Sequence, residues 1–111
     1  MNLQVKEKMD DEKNVTLCIE GEVDVYTAPK LREKLLPLCQ EGKTVTVDLS
    51  KCVYIDSTGL GVFIGAYKMQ RGTDGKLILK GMNSRLLRLF KITGLHEIMK
   101  IEESAQEDGQ P

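Results

Sequence analysis

No run of eighteen apolar residues occurs in this 111-residue chain, and no basic stretch followed by an apolar one opens it. A water-soluble protein without an ordinary export signal, resident in the cytoplasm and not tied to a membrane, is expected. An excess of basic charge is missing too. The net charge is −1, and charged residues are spread along the chain with no dominating basic patch, which argues against nucleic acid as a partner. Cysteines are few. Cys18, Cys39 and Cys52 are an odd number at wide spacings, and no C-x-x-C exists. That pattern argues against zinc and thioredoxin-type chemistry and fits small buried or half-buried thiols in a reducing compartment. His96 is the single histidine and G-x-S-x-G is absent, so a serine nucleophile has no partner pattern. No catalytic residue, metal ligand or cofactor site is expected.

What the chain does have is one pivotal stretch, Tyr54 to Gly65, reading Y-I-D-S-T-G-L-G-V-F-I-G. Alternating residues from Val45 to Leu49 precede it, and helical spacing from Leu60 to Met69 follows. Asp56-Ser57-Thr58 therefore lies where a strand hands over to a helix. Ser57 or Asp56 is the expected N-cap, because a side-chain oxygen there accepts an otherwise unpaired backbone N–H. A serine at that position is exposed at the positive end of a helix dipole, which suits an anion, including a phosphate on the serine itself. A plain cap is the simplest alternative. An aspartic-protease loop needs Asp, then Ser or Thr, then Gly, whereas two residues separate Asp56 from Gly59. Gly59, Gly61 and Gly65 read G-x-G-x-x-x-G, one residue off the dinucleotide fingerprint, and Leu79 and Lys80 stand where its acid would be.

The rest of the chain supplies a frame. Leu3 to Lys8 and Val15 to Glu20 read as strands around a polar turn, Asp10 to Asn14, making an antiparallel hairpin. Gly21-Glu22-Val23-Asp24 breaks the second strand. Thr27 is a candidate N-cap and Pro29 fits the first turn of a helix with Leu31, Leu35 and Leu38 inside. Pro37 should kink that helix or loosen its last turn, and Gly42 should end it. Thr44 to Leu49 and Lys76 to Lys80 alternate as strands. Ser84 should cap a short helix with Leu86, Leu89 and Phe90 inside, Arg85, Arg88 and Lys91 on a solvated outer face, and Gly94 as its stop. Ile98 and Ile101 mark a last strand. The domain is expected to span residues 1–103, and the acidic, polar segment 104–111 reads as a disordered tail.

Strands with one apolar and one polar face imply helices on one side only. Right-handed crossovers after the hairpin place successive helices on that same side. The expected fold is a two-layer α/β domain with an N-terminal β-hairpin, a short β/α superhelix and a mixed sheet of four to five strands. Loops leaving the carboxyl ends of neighbouring parallel strands meet at one edge. Glu22, Asp24, Asp56 and Ser57 are thus expected to share a small acidic surface, unless Asp24 merely satisfies its own turn. Gly61 and Gly65, four apart in a helix, each cost about 1 kcal/mol relative to Ala. They imply either close packing on the sheet or a smooth approach surface for a partner beside Ser57.

Gly21-Glu22-Val23-Asp24, Tyr26-Thr27-Ala28-Pro29, the Asp56-Ser57-Thr58-Gly59-Leu60-Gly61 stretch and Arg88 to Leu95 together resemble the STAS family, over nearly the whole chain from Val15 to Ile101. Within it they are most similar to bacterial anti-sigma factor antagonists, especially the RsbV type of the general stress response. The resemblance implies partner switching. The unphosphorylated antagonist binds an anti-sigma factor that is itself a serine kinase and so frees the sigma factor. Phosphorylation of the family serine, here Ser57, releases that hold, and a metal-dependent serine phosphatase resets it. The chain would be substrate and binder rather than enzyme, with Glu22, Asp24, Asp56, Thr58, Gly59, Gly61 and Gly65 around the contact. Thr58 offers a second hydroxyl beside Ser57. Two readings of other classes are a small nucleotide-binding domain using Gly59 to Gly65 as a phosphate cradle, for which Lys68 lies too far along to be the Walker lysine, and a scaffold subunit of a sensory assembly.

Overall fold

A computed structural model describes residues 2–10 and 14–102. The polar turn and the tail expected at the C-terminus fall wholly or partly on residues outside that description. The first strand, β1 (Leu3–Met9), pairs antiparallel with β2 (Val15–Val23), from Leu3 opposite Gly21 to Met9 opposite Val15. Helix α1 (Ala28–Gln40), strand β3 (Thr44–Ile55), helix α2 (Ser57–Arg71), strand β4 (Lys76–Lys80), helix α3 (Ser84–Ile92), a 3₁₀ turn (Leu95–Glu97) and strand β5 (Lys100–Glu102) follow. The sheet order is β1-β2-β3-β4-β5, with parallel pairing from β2 onward.

The register explains why helices cover one face. Val15, Val45 and Leu77 stand in one cross-strand row and Leu17, Val47 and Leu79 in the next, all buried. The rows that alternate with them, Thr16-Thr46-Ile78 and Cys18-Asp48-Lys80, are half-buried on the other face. Each buried aliphatic side chain contributes about 1.5–3 kcal/mol, so the helices pack on the first set: Leu31, Leu35 and Leu38 of α1, Val62, Phe63 and Ala66 of α2, and Leu86 and Phe90 of α3. Phe63 and Phe90 meet edge to face, ring centres 6.2 Å apart, and join α2 to α3.

Several boundaries differ from the sequence expectation for identifiable reasons. Gly21 does not break β2. It adopts φ +110°, and a Cβ there would collide with the carbonyl of Asn2, so the strand absorbs it as an irregularity and runs on to Val23. Strand β3 continues past Leu49 to Ile55 by the same means. Between Cys18–Asp48 and Glu20–Lys51, and again between Gly21–Cys52 and Glu22–Tyr54, β3 carries one residue more than β2. The cap of α3 is Asn83 rather than Ser84: its Oδ1 accepts the Leu86 N–H at 2.8 Å, leaving Ser84 as first helical residue. Thr27 occupies the N-cap position of α1 but makes no capping bond. The helix runs through Pro37 to Gln40, so the proline falls in the closing turn. Gly42 and Gly94 end α1 and α3 in left-handed conformations, φ +80° and +79°, as their places imply. Ile101 lies in β5, whereas Ile98 follows the 3₁₀ turn and is exposed.

Candidate functional site

Asp56 ends the climb of β3 in an extended conformation, φ −100°, ψ −171°, and its Oδ1 accepts the Gly59 N–H at 3.0 Å. Asp56 is therefore the N-cap of α2. Ser57 becomes the first residue of the helix, and its side chain and that of Thr58 are exposed. Behind them Gly59 is buried. A Cβ at that position would lie 2.7 Å from Val23 Cγ1 and 2.9 Å from Ile55 Cγ2, so the first turn sits against the strand ends only because the residue has no side chain.

The β2–α1 loop is joined to this turn directly. Asp56 donates its backbone N–H to the carbonyl of Val23 at 3.0 Å, and Glu22 stands opposite Tyr54 in the sheet. The structure thus brings Glu22, Asp24, Asp56 and Ser57 to one edge, but not as a shared acidic surface. Asp24 is only 7% exposed. Its Oδ1 accepts the N–H groups of Tyr26 (2.9 Å) and Thr27 (3.0 Å), with the Thr27 hydroxyl 3.2 Å away. That hydroxyl accepts the Asp24 N–H at 2.9 Å and donates to the Glu22 carbonyl at 2.8 Å. Burial pushes the Asp24 carboxyl up, but the Thr27 and Tyr26 N–H groups and the Thr27 hydroxyl outweigh it and hold it below the ordinary carboxylate range. Asp24 orders its own turn, and Asp56 orders the helix start.

The same loop is stitched to the beginning of the chain. Glu22 donates its N–H to the carbonyl of Asn2 at 3.0 Å, and Lys30 Nζ from α1 donates to the carbonyl of Leu3 at 2.8 Å.

Gly61 is exposed and Gly65 half-buried, and a Cβ at either would meet nothing within 4 Å. Close packing on the sheet is overturned as their reason, and an open strip along α2 beside Ser57 remains. Both lie inside a regular helix, and the Gly59 N–H is taken by Asp56, so no glycine loop is available to cradle a phosphate chain.

Sequence reasoning gave no role of their own to four residues at this edge. Val25 and Tyr26 are 56% and 79% exposed, and Val53 and Tyr54 are 54% and 48% exposed. The available signal was the break in alternation after Leu49, which puts Val53 and Tyr54 out of step with the core. The cysteines stand apart from the site chemistry. All are free, Cys18 half-buried and Cys39 and Cys52 buried, and burial pushes the Cys39 thiol up to about 11 and raises that of Cys52 as well. Among the described residues no three His, Cys, Asp or Glu side chains gather as a metal site, and no helix is long and apolar enough to cross a membrane.

Residues 2–107 match the model of the STAS domain, and the chain belongs to that family. It is 47% identical over 109 residues to the anti-sigma-B factor antagonist of Bacillus subtilis, covering 98% of this chain and 97% of that one. To the anti-sigma-B factor antagonist of Listeria monocytogenes it is 44% identical over 103 residues, covering 92% and 90%. Its fold is similar to the Bacillus cell fate determinant SpoIIAA in the phosphorylated form, with a TM-score of 0.72 at 19% identity and 96% of both chains covered. Against the unphosphorylated anti-sigma factor antagonist SpoIIAA the TM-score is also 0.72, at 18% identity, covering 96% of this chain and 94% of that one.

Proposed function

We propose that this protein is an anti-sigma factor antagonist that acts in the cytoplasm by partner switching and carries no catalysis of its own. Unphosphorylated, it binds an anti-sigma factor and so releases the sigma factor. The anti-sigma factor, acting as a serine kinase, transfers the γ-phosphoryl group of ATP to Ser57 Oγ. The phosphorylated form lets go, and a metal-dependent serine phosphatase restores the free hydroxyl. Glu22, Asp56, Thr58, Gly61 and Gly65 shape the contact around Ser57, while buried Gly59 seats the helix start behind it and Asp24 holds the adjoining loop. The observation that carries this reading is the placing of Ser57: exposed, first in α2, with Asp56 rather than the serine itself spent on the cap. The names of relatives up to 47% identical support the antagonist role.

The energetics favour a switch at the surface rather than in the fold. A phosphoserine brings about −1.5 to −2 charges. At a helix N-terminus these gain roughly 0.3–1 kcal/mol. A partner surface shaped for a neutral hydroxyl must instead desolvate a near-dianion. Each 1.4 kcal/mol lost weakens binding tenfold, so a few kcal/mol reverses the choice of partner. The test is to incubate the protein with the anti-sigma-B factor of Bacillus subtilis and ATP, then map the modified residue by mass spectrometry. One phosphate on Ser57, absent from Ser57→Ala, is expected. Phosphate on Thr58 would move the site by one residue, and no complex in the absence of phosphate would sink the reading.

A further inference from the structure

The large apolar side chains that the fold leaves in water are not scattered evenly. Four of them occupy two dipeptides, Val25-Tyr26 and Val53-Tyr54, within three residues of the hydrogen bond between Asp56 and Val23. Tyr26 is 79% exposed, yet its backbone is fixed by the 2.9 Å bond from its N–H to Asp24 Oδ1. Tyr54 is held by strand pairing opposite Glu22. Its side chain points away from buried Ile55, its successor. Val53 is the extra residue that β3 carries between its pairings with Gly21 and Glu22. Such a residue is turned out of the ladder.

We infer that Val25, Tyr26, Val53 and Tyr54 form an apolar collar beside Ser57 that anchors the anti-sigma factor, an inference that rests on the antagonist reading and adds where its affinity resides. Tyrosine is suited to the task because it brings a large, stiff, amphipathic surface with few rotatable bonds to freeze. Here the backbone under each ring is already ordered, so little further freedom is lost on binding. Ser57, Gly61 and Gly65 themselves carry no apolar side chain. Holding the partner and sensing the phosphate are then separate tasks of neighbouring residues.

Tyr26→Ala and Tyr54→Ala are each expected to weaken binding of the anti-sigma-B factor of Bacillus subtilis by about ten- to a hundredfold in calorimetry, while melting within a few degrees of the unaltered chain. Phosphorylation of Ser57 should show a raised KM with kcat retained at saturating kinase. Ile92→Ala, at a position 73% exposed but remote on α3, serves as control and should bind normally. Val25→Ser replaces either tyrosine variant should one not fold. Affinities within about threefold for the collar variants, or an equal loss for Ile92→Ala, would overturn the collar. Failure of the unaltered chain to bind would instead strike the antagonist reading beneath it.

Discussion

The N–H of Asp56 donates to the carbonyl of Val23 at 3.0 Å, and this bond joins the two halves of the site. Val23 ends β2 and Asp56 caps α2, so the loop ordered by Asp24 and the turn bearing Ser57 cannot shift independently. Gly59 closes the same junction from below by letting Val23 and Ile55 approach.

Phosphorylation of Ser57 should therefore leave the fold unchanged. Ser57→Ala is expected to hold the anti-sigma factor persistently, and Ser57→Asp to bind it poorly while melting normally. Amide NMR of the two phosphorylation states checks this. Shift changes should stay near Ser57 and Val23–Thr27, and changes spread through α3 would speak for a relay.

Gly61→Ala and Gly65→Ala should each stabilise the free protein by up to about 1 kcal/mol, since a methyl group meets open space and alanine is the better helix former. Both should weaken the anti-sigma factor if its backbone comes close to this strip. Thermal melts and calorimetry on the same samples separate the two effects. Unchanged affinity in both variants would remove the glycines from the contact.

Val47→Asp should abolish cooperative unfolding at room temperature. The position is fully buried between Leu17 and Leu79. The change forfeits about 1.5–3 kcal/mol of burial and adds the larger cost of an unpaired carboxylate. A sigmoidal urea curve with a normal midpoint would contradict the core assignment.

Asp24 makes a specific demand on pH. Its folded pKa lies below the ordinary 3.8, so its contribution to stability is fully present above that value and is lost as pH falls through the folded pKa. Asp24→Asn should flatten the acid limb of a melting profile below about pH 4, leaving the neutral limb parallel to that of the unaltered chain. Identical slopes would mean that the carboxylate is not held as the structure shows.

Alkylation of the native protein at pH 8 should mark Cys18 first. With a thiol pushed up to about 11, Cys39 is about one part in a thousand thiolate there, and burial also hinders Cys52. Replacing all three by serine or alanine should leave partner binding intact, with some loss of stability. A redox-dependent affinity that disappears in that variant would contradict this.

Much of the frame was legible because period-2 alternation at Val15–Ile19, Val45–Leu49 and Lys76–Lys80 depends only on which side of a sheet meets helices. The helix start at Asp56-Ser57 was legible because few residues can open a helix. The choice between adjacent caps was harder. Asn83 and Ser84 are both good caps, and only the placing of a side-chain oxygen against the Leu86 N–H decides between them. The continuation of β2 through Gly21 was hidden because glycine signals a break as readily as an irregularity. Tyr26 and Tyr54 were hidden for a deeper reason: apolar type predicts burial, and here the exposure itself is the information.

The stitching of Asn2 to Glu22 and of Lys30 to Leu3 bears on how the molecule should be handled at the bench. Because β1 runs antiparallel to β2, its first residues arrive at the edge where Ser57 stands, with Leu3 opposite Gly21. An affinity handle or fluorophore fused ahead of Asn2 would emerge beside the surface under study and pull on the loop that Asp24 orders. Glu102, at the end of β5, lies on the opposite margin of the sheet from β1 and stands level with Lys80 and Asp48 rather than with the end of β3, so a handle carried on that side does not pull on the Asp24 loop.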